Sequence, residues 1–346
     1  MVTPELLIFH QSRNILCKAQ ISCLNEDGQP VDWFIIYKLP TYREGSIGSG
    51  LDYMYLDPSV KTWQLSKFLI NETHGALGNT LNQIYENYQS NSSTYAFYND
   101  GPPVLKYYSN YGHTKGALHF DKLQGFWLIH SVPHFPPFPE SGYGYPSTGK
   151  PYGQNALCIT YRYAEFRQIS RQFGYLNPRL YNCSVPVAFR SEMSSLAQLC
   201  EGETPALVTN RRLEKLVSAG GESFFSFAKS QNYVDDIYAA WVAQTLYTNL
   251  LAETWQHNIH GLPSNCSLPK HVMNIGRVKL PGPTVFRSYE DHSKWCVSSS
   301  DKNRWTCLGD LNRGSGQTKR GGGLVCTQNP VIYDAFRQAV AWYIGC

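Results

Sequence analysis

Two short triplets in the chain have residue types and spacing suited to chemistry: His113-Thr114-Lys115 and His292-Ser293-Lys294. In extended backbone, residues two apart face the same side, roughly 6.5 Å from one another, so each triplet aims an imidazole and an ammonium in one direction. The triplets lie 179 residues apart in a chain of 346, about half its length. If each belongs to one of two related halves, the halves can meet and place two imidazoles and two cations in one pocket. That set suits attack on a phosphodiester. One histidine would serve as nucleophile and the other as acid, while Lys115 and Lys294 hold the anionic oxygens. The ordinary alternative for either triplet alone is a solvated strand edge.

Bulk composition agrees with a folded, basic protein. The chain is 42% hydrophobic and 14% aromatic but only 16% charged, which argues against disorder. Its formal charge is +4, and protonating its ten histidines would add up to ten more positive charges. In an acidic compartment the chain therefore favours a polyanionic partner. Ten cysteines without a CxxC pair point to an oxidising environment rather than a zinc site. Four Asn-x-Ser/Thr sequons, at Asn71, Asn91, Asn182 and Asn265, suit a glycoprotein of the secretory route. Residues 1–22 form a leader of uncertain status, whose apolar run Leu6-Leu7-Ile8-Phe9 is short for a signal-peptide core. No stretch is long and apolar enough to predict a membrane span.

The elements that must position the triplets can be read around them. Val31 to Tyr37 predicts a buried strand, closed at Leu39-Pro40, and Ala96-Phe97-Tyr98 another, ended by Asn99-Asp100-Gly101-Pro102. His113 to Phe120 and Phe126 to Val132 predict a β-hairpin turning at Asp121–Gly125. If Phe120 pairs with Phe126, Lys115 faces Ser131; a one-residue slip brings His130 opposite Lys115 instead. His130 is thus a conditional supporting member of the site. A Pro/Gly/Tyr-rich stretch over 133–153 leads towards a boundary near residue 165, giving halves of 23–165 and 166–346. Tyr238, Val242, Leu246 and Leu250 recur every fourth residue and predict a helix from Asp235 to about Gln256. His292 to Val297 and Arg304 to Gly309 predict a second hairpin, and Asp334 to Trp342 a terminal helix. Lys106, Tyr108 and Tyr111, with Tyr107, interleave charge and aromatic rings just before His113. They could grip a nucleic-acid backbone and bases, or fill the core under the hairpin.

Other hydrolytic designs lack their residues: no dense carboxylate set for metal-dependent cleavage and no Gly-x-Ser-x-Gly elbow. Metal-free chemistry by two histidines remains, with no cofactor, since imidazole titrates near 6.5 and can be base or acid in mild acid. Val31-Asp32-Trp33-Phe34, Gly112-His113-Thr114-Lys115-Gly116 and Gly125-Phe126-Trp127-Leu128-Ile129-His130-Ser131 resemble the deoxyribonuclease II family. So do Asp291-His292-Ser293-Lys294-Trp295-Cys296-Val297 and Trp305-Thr306-Cys307-Leu308-Gly309-Asp310, and Ala239 to Gln244 is similar to the beta form. The resemblance implies an α/β, phospholipase-D-like fold of two pseudo-symmetric halves, each a mixed β-sheet flanked by helices. It implies a metal-independent acid endonuclease of the lysosome or secretory pathway, acting on double-stranded DNA without strong sequence preference and leaving 3′-phosphate ends. The acidic slot of the wider superfamily falls here on Phe120 and Ser299, so the groups orienting each histidine come from elsewhere, with Asp310, Asn312 and His130 as candidates. The resemblance also implies disulfides Cys23–Cys158, Cys266–Cys346, Cys307–Cys326 and Cys183–Cys200. Two alternatives remain: a phospholipase-type phosphodiesterase, and a non-catalytic DNA-binding relative. Neither the choice of nucleophilic histidine nor the oligomeric state is set by the sequence.

Overall fold

A computed structural model of the chain describes residues 20–255 and 260–346. The leader through residue 19, with Cys17, lies outside the described residues. Sixteen strands carry the argument. The first seven are β1 (Trp33–Lys38), β2 (Tyr53–Leu56), β3 (Thr94–Asn99), β4 (Lys115–Phe120), β5 (Gln124–His130), β6 (Gln154–Arg162) and β7 (Leu180–Ser184). They form an antiparallel sheet in the order β7-β3-β4-β5-β6-β1-β2, edged by the two residues Gln64–Leu65. The others are β8 (Arg211–Val217), β9 (Ser223–Lys229), β10 (Leu250–Glu253), β11 (Val272–Leu280), β12 (Thr284–Arg287), β13 (Trp295–Ser298), β14 (Thr306–Gly309), β15 (Gly322–Thr327) and β16 (Val340–Ile344). Their order is β8-β9-β15-β14-β13-β10-β11-β12, with β16 also on β11. Here β10 and β11 run parallel, and the other pairings are antiparallel. The chain is thus a mixed α/β protein dominated by antiparallel sheet.

The sheets share a core. Strand β1 shows why: all six of its residues, Trp-Phe-Ile-Ile-Tyr-Lys, are buried. Trp33, Ile35 and Tyr37 point into a cluster that also holds Leu216, Leu251 and Trp295 of the second sheet, while Phe34 and Ile36 fill a separate outer cluster. Alternation along a strand buried on both faces produces that split. Two helices lie in the shared layer. Helix α1 (Tyr163–Leu176) contributes Phe166, Ile169, Phe173 and Leu176, and α2 (Pro330–Ala339) contributes Ile332, Tyr333 and Phe336. Disulfides join Cys23–Cys158, Cys183–Cys200, Cys266–Cys346 and Cys307–Cys326, and Cys296 is a buried free thiol. No helix among the described residues is long and apolar enough to cross a membrane.

Two local expectations are corrected, and one open register is decided. The long helix from Asp235 is only Ile237–Leu246, in two short pieces; Tyr247 adopts a left-handed conformation (φ 53°) and ends it. Leu250, counted on that helix face, instead begins β10 in the interior of the second sheet. The terminal helix stops at Ala339, and Trp342 belongs to β16. In the first hairpin Gly125, not Phe126, pairs with Phe120; continuing that register puts His130 opposite Lys115.

Candidate active site

Each histidine triplet enters its strand through a hydrogen bond to the other sheet. The His113 N–H donates to the Gly321 carbonyl (2.9 Å), just before β15, and the His292 N–H donates to the Gly153 carbonyl (2.8 Å), just before β6. Glycine is needed at both crossings. A Cβ on Gly153 would sit 2.3 Å from Asp291 Oδ1, and one on Gly321 would sit 2.5 Å from the Leu176 carbonyl oxygen. The Asn155 side chain on β6 then accepts the Lys294 N–H at 3.1 Å. Both triplets consequently open onto one cleft of about 700 Å³, whose lining includes His113, Lys115, His292 and Lys294.

Around His113 the charges are dense. Its Nδ1 lies 2.6 Å from the Asp310 carbonyl, an acceptor only, so Nδ1 carries a proton and Nε2 faces Asp100 Oδ2 at 4.0 Å. Lys115 Nζ bonds Asp100 Oδ1 at 2.5 Å, and Arg320 Nη2 bonds Oδ2 at 3.0 Å. Burial alone would raise the Asp100 carboxyl; Lys115, His113 and Arg320 overcome it and hold the group well below the usual carboxylate range. Burial, then Lys115, pushes the His113 imidazole well below its ordinary value, with Asp100 opposing.

His292 is held by rings instead. Tyr152 stacks on it with centroids 4.3 Å apart and planes 9° off parallel, and Trp255 lies 4.0 Å away at 54°. Lys294 Nζ donates to the His292 carbonyl. Burial, then the nearby Lys115, lowers the Lys294 ammonium to about 7.

The supporting candidates separate. Asp310 backs the site through its carbonyl on His113, and burial pushes its carboxyl up to about 8. Asn312 lines the cleft and accepts the Trp255 N–H at 3.2 Å. His130 does not reach the cleft. It is buried behind Lys115 against Phe135 (centroids 5.2 Å apart), with Nδ1 accepting the Val132 N–H. The segment before His113 is surface, not core: Tyr107 and Tyr108 are about half exposed. Arg179 covers Tyr108 and Tyr111 at 4.9 and 5.7 Å, and Lys106 approaches Tyr108 at 5.8 Å. Of the sequon asparagines, Asn71 and Asn91 are exposed, and Asn182 and Asn265 are partly buried. Asp100, Arg320, Trp255 and Tyr152 were missed. Asp100 sits in a run that signals a strand end, and Arg320 in front of a glycine run, so neither spacing marks them as site residues.

The family model for deoxyribonuclease II matches residues 22–346. The chain is 49% identical to human deoxyribonuclease-2-beta, covering 99% of this chain and 97% of the relative. It is 40% identical to pig deoxyribonuclease-2-alpha (93% and 90% covered) and 36% identical to plancitoxin-1 of Acanthaster planci (94% and 92%). With the match running from Ser22 to the final cysteine, the chain belongs to the deoxyribonuclease II family.

Proposed function

We propose that the chain is a metal-independent acid endodeoxyribonuclease that leaves 3′-phosphate ends, working in the lysosome or after secretion. The observation that carries this is the opening of His113, Lys115, His292 and Lys294 onto one cleft from opposite ends of the sequence. One imidazole attacks phosphorus, forming a P–N bond as the P–O5′ bond breaks, while the other imidazolium gives its proton to the departing O5′. That second imidazole then takes a proton from water, whose oxygen displaces the first histidine and frees the 3′-phosphate. Lys115 and Lys294 stabilise the extra negative charge as fixed cations, with Arg320 close by. Asp100 is committed to Lys115 and Arg320, so it neutralises the cleft rather than offering an open ligand set.

The fold half of the proposal is a phospholipase-D-like arrangement, with residues 23–165 and 166–346 as its halves. The central run β3-β4-β5-β6-β1 has a counterpart in β10-β13-β14-β15-β9, with β7 added from the second half to the edge of the first sheet. Lys106, Tyr108 and Tyr111 border the first triplet, and we assign them to the DNA backbone and bases of a double-stranded substrate.

Plasmid nicking by purified protein between pH 4 and 8, with and without EDTA, tests the reaction. The expected profile is bell-shaped and indifferent to chelator, because one imidazole must be neutral and the other protonated. Lys294, lowered to about 7, also loses its charge as pH rises through neutrality. His113→Ala and His292→Ala should each remove nearly all cleavage, and the double variant should be little worse. A rate that climbs to pH 8 and collapses with EDTA would overturn the scheme. Substantial turnover by His292→Ala would do the same.

A further inference from the structure

Two lysines that take no part in the proposed chemistry are fully buried, and they are placed alike. Lys38 ends β1 and Lys229 ends β9; each has 0% exposure. Neither meets a carboxylate. Lys38 Nζ donates to the Lys150 carbonyl (2.8 Å) and to the Tyr152 carbonyl. Lys229 Nζ donates to the carbonyls of Thr318 (2.9 Å), Arg320 (2.6 Å) and Tyr233 (2.9 Å). The offsets coincide. Each ammonium takes the carbonyls one and three residues before a crossing glycine, Gly153 in one case and Gly321 in the other. Those are the glycines whose own carbonyls receive the backbone N–H of His292 and His113.

A buried ammonium is costly unless its donors are satisfied, and charge-assisted bonds to carbonyls are stronger than neutral ones. A chain that needed only to fill these two volumes could use methionine or leucine. Burial lowers Lys38 to about 7 and Lys229 to about 8, so both are ammonium ions in an acidic medium. What each loop carries is informative. The Tyr152 ring lies flat on the His292 imidazole, and the Arg320 guanidinium holds Asp100 beside His113. Fixing one peptide in each loop thus sets a crossing carbonyl and a side chain that touches a histidine or its carboxylate partner.

We propose that Lys38 and Lys229 are positioning residues, each ammonium pinning the loop that delivers the crossing glycine carbonyl to a histidine of the opposite sheet. Lys38 serves His292 and Lys229 serves His113. The proposal rests on the two-histidine reading above. It implies that losing either donor set displaces one imidazole while leaving the DNA-contacting surface in place, and a displacement near 1 Å can cost about a hundredfold in rate.

The test uses full-length Lys38→Met, Lys38→Gln, Lys229→Met and Lys229→Gln, assayed for kcat and KM on plasmid DNA across pH 4–7. Amide hydrogen exchange of the peptides containing His113 and His292 is followed in parallel. The methionine variants should lose ten- to a hundredfold in kcat with KM within about twofold. Exchange should speed up at His292 for Lys38→Met and at His113 for Lys229→Met. Glutamine, which keeps an amide donor, should recover part of the rate. Wild-type kcat in folded methionine variants overturns the proposal, as does equal loss of exchange protection at both histidines. If both substitutions at one position fail to fold, that lysine is a core requirement and its positioning role is rejected. His113→Ala and His292→Ala are run alongside. If they retain activity, the two-histidine reading has failed; if they are inactive while the lysine variants are normal, only the positioning role has.

Discussion

Replacing Asp100 with asparagine tests the electrostatics of the cleft and decides which histidine does what. Asp100 Oδ2 is 4.0 Å from His113 Nε2, and two unit charges at that distance interact by about 4 kcal/mol at an effective dielectric near 20. Lys115 at 2.5 Å and Arg320 at 3.0 Å already claim both oxygens, so only part of that attraction acts on His113. The sign is fixed: the carboxylate favours the imidazolium, so Asp100→Asn must move the His113 limb of the pH–rate profile towards acid. If the acidic limb moves, His113 is the group that must be neutral, hence the nucleophile; if the alkaline limb moves, it is the acid. The assay is nicking rate from pH 3.5 to 7.5 in EDTA, normalised to folded protein. Removing one member of a buried charge network costs about 3–5 kcal/mol, so Tm will fall as well. Because the Asp100 carboxyl is held low, its stabilisation is present above about pH 4 and lost as pH falls below that, so the Tm gap should be constant across pH 5–7. A folded variant with both limbs unmoved, or with a limb moved towards alkali, would refute the charge assignment.

Two further outcomes are expected. Lys106→Ala should weaken DNA binding and reduce the slope of log affinity against log salt by about one, measured by fluorescence anisotropy; an unchanged slope would remove Lys106 from the phosphate contacts. Asp310 is raised to about 8 in the fold, so its buried neutral carboxyl stabilises the chain below the ordinary carboxylate pKa, and that contribution is lost as pH rises from about 4 through 8. Tm should therefore fall over that window, and Asp310→Asn should flatten the fall.

The sequence made the parts of the site legible more readily than their mutual placement. Both His-x-Lys triplets, the hairpins that carry them and the run Trp33–Tyr37 follow from residue type and period two. Register does not: Phe120 against Gly125 or Phe126 are both acceptable pairings, and only packing of the whole sheet chooses between them. Leu250 continued a helical spacing because strand and helix both bury short apolar runs. Asp100 carries turn chemistry in its neighbours Asn99 and Gly101, so its pairing with Lys115 and Arg320 is invisible until the 220-residue separation to Arg320 is closed. Lys38 likewise reads only as the polar end of a strand.

On the proposed two-histidine scheme, the two triplets have like backbone settings and unlike side-chain neighbours, and that difference would decide which imidazole is the base and which the acid. Asn99 pairs with Lys115 across β3 and β4, and Glu253 pairs with Trp295 across β10 and β13. Stepping one residue further along the second pair brings Thr254 opposite Lys294, so the residue after it, Trp255, holds the place that Asp100 holds in the first sheet. A carboxylate at one strand end and an indole at the other give the two imidazoles different surroundings. His113 has a charge that favours its protonated form against burial and three cations. His292 lies between Tyr152 and Trp255, whose rings fix the plane of the imidazole. Unequal neighbours at equivalent positions give the two imidazoles different surroundings, which suits the proposed reaction, in which one cleft must supply both a base and an acid.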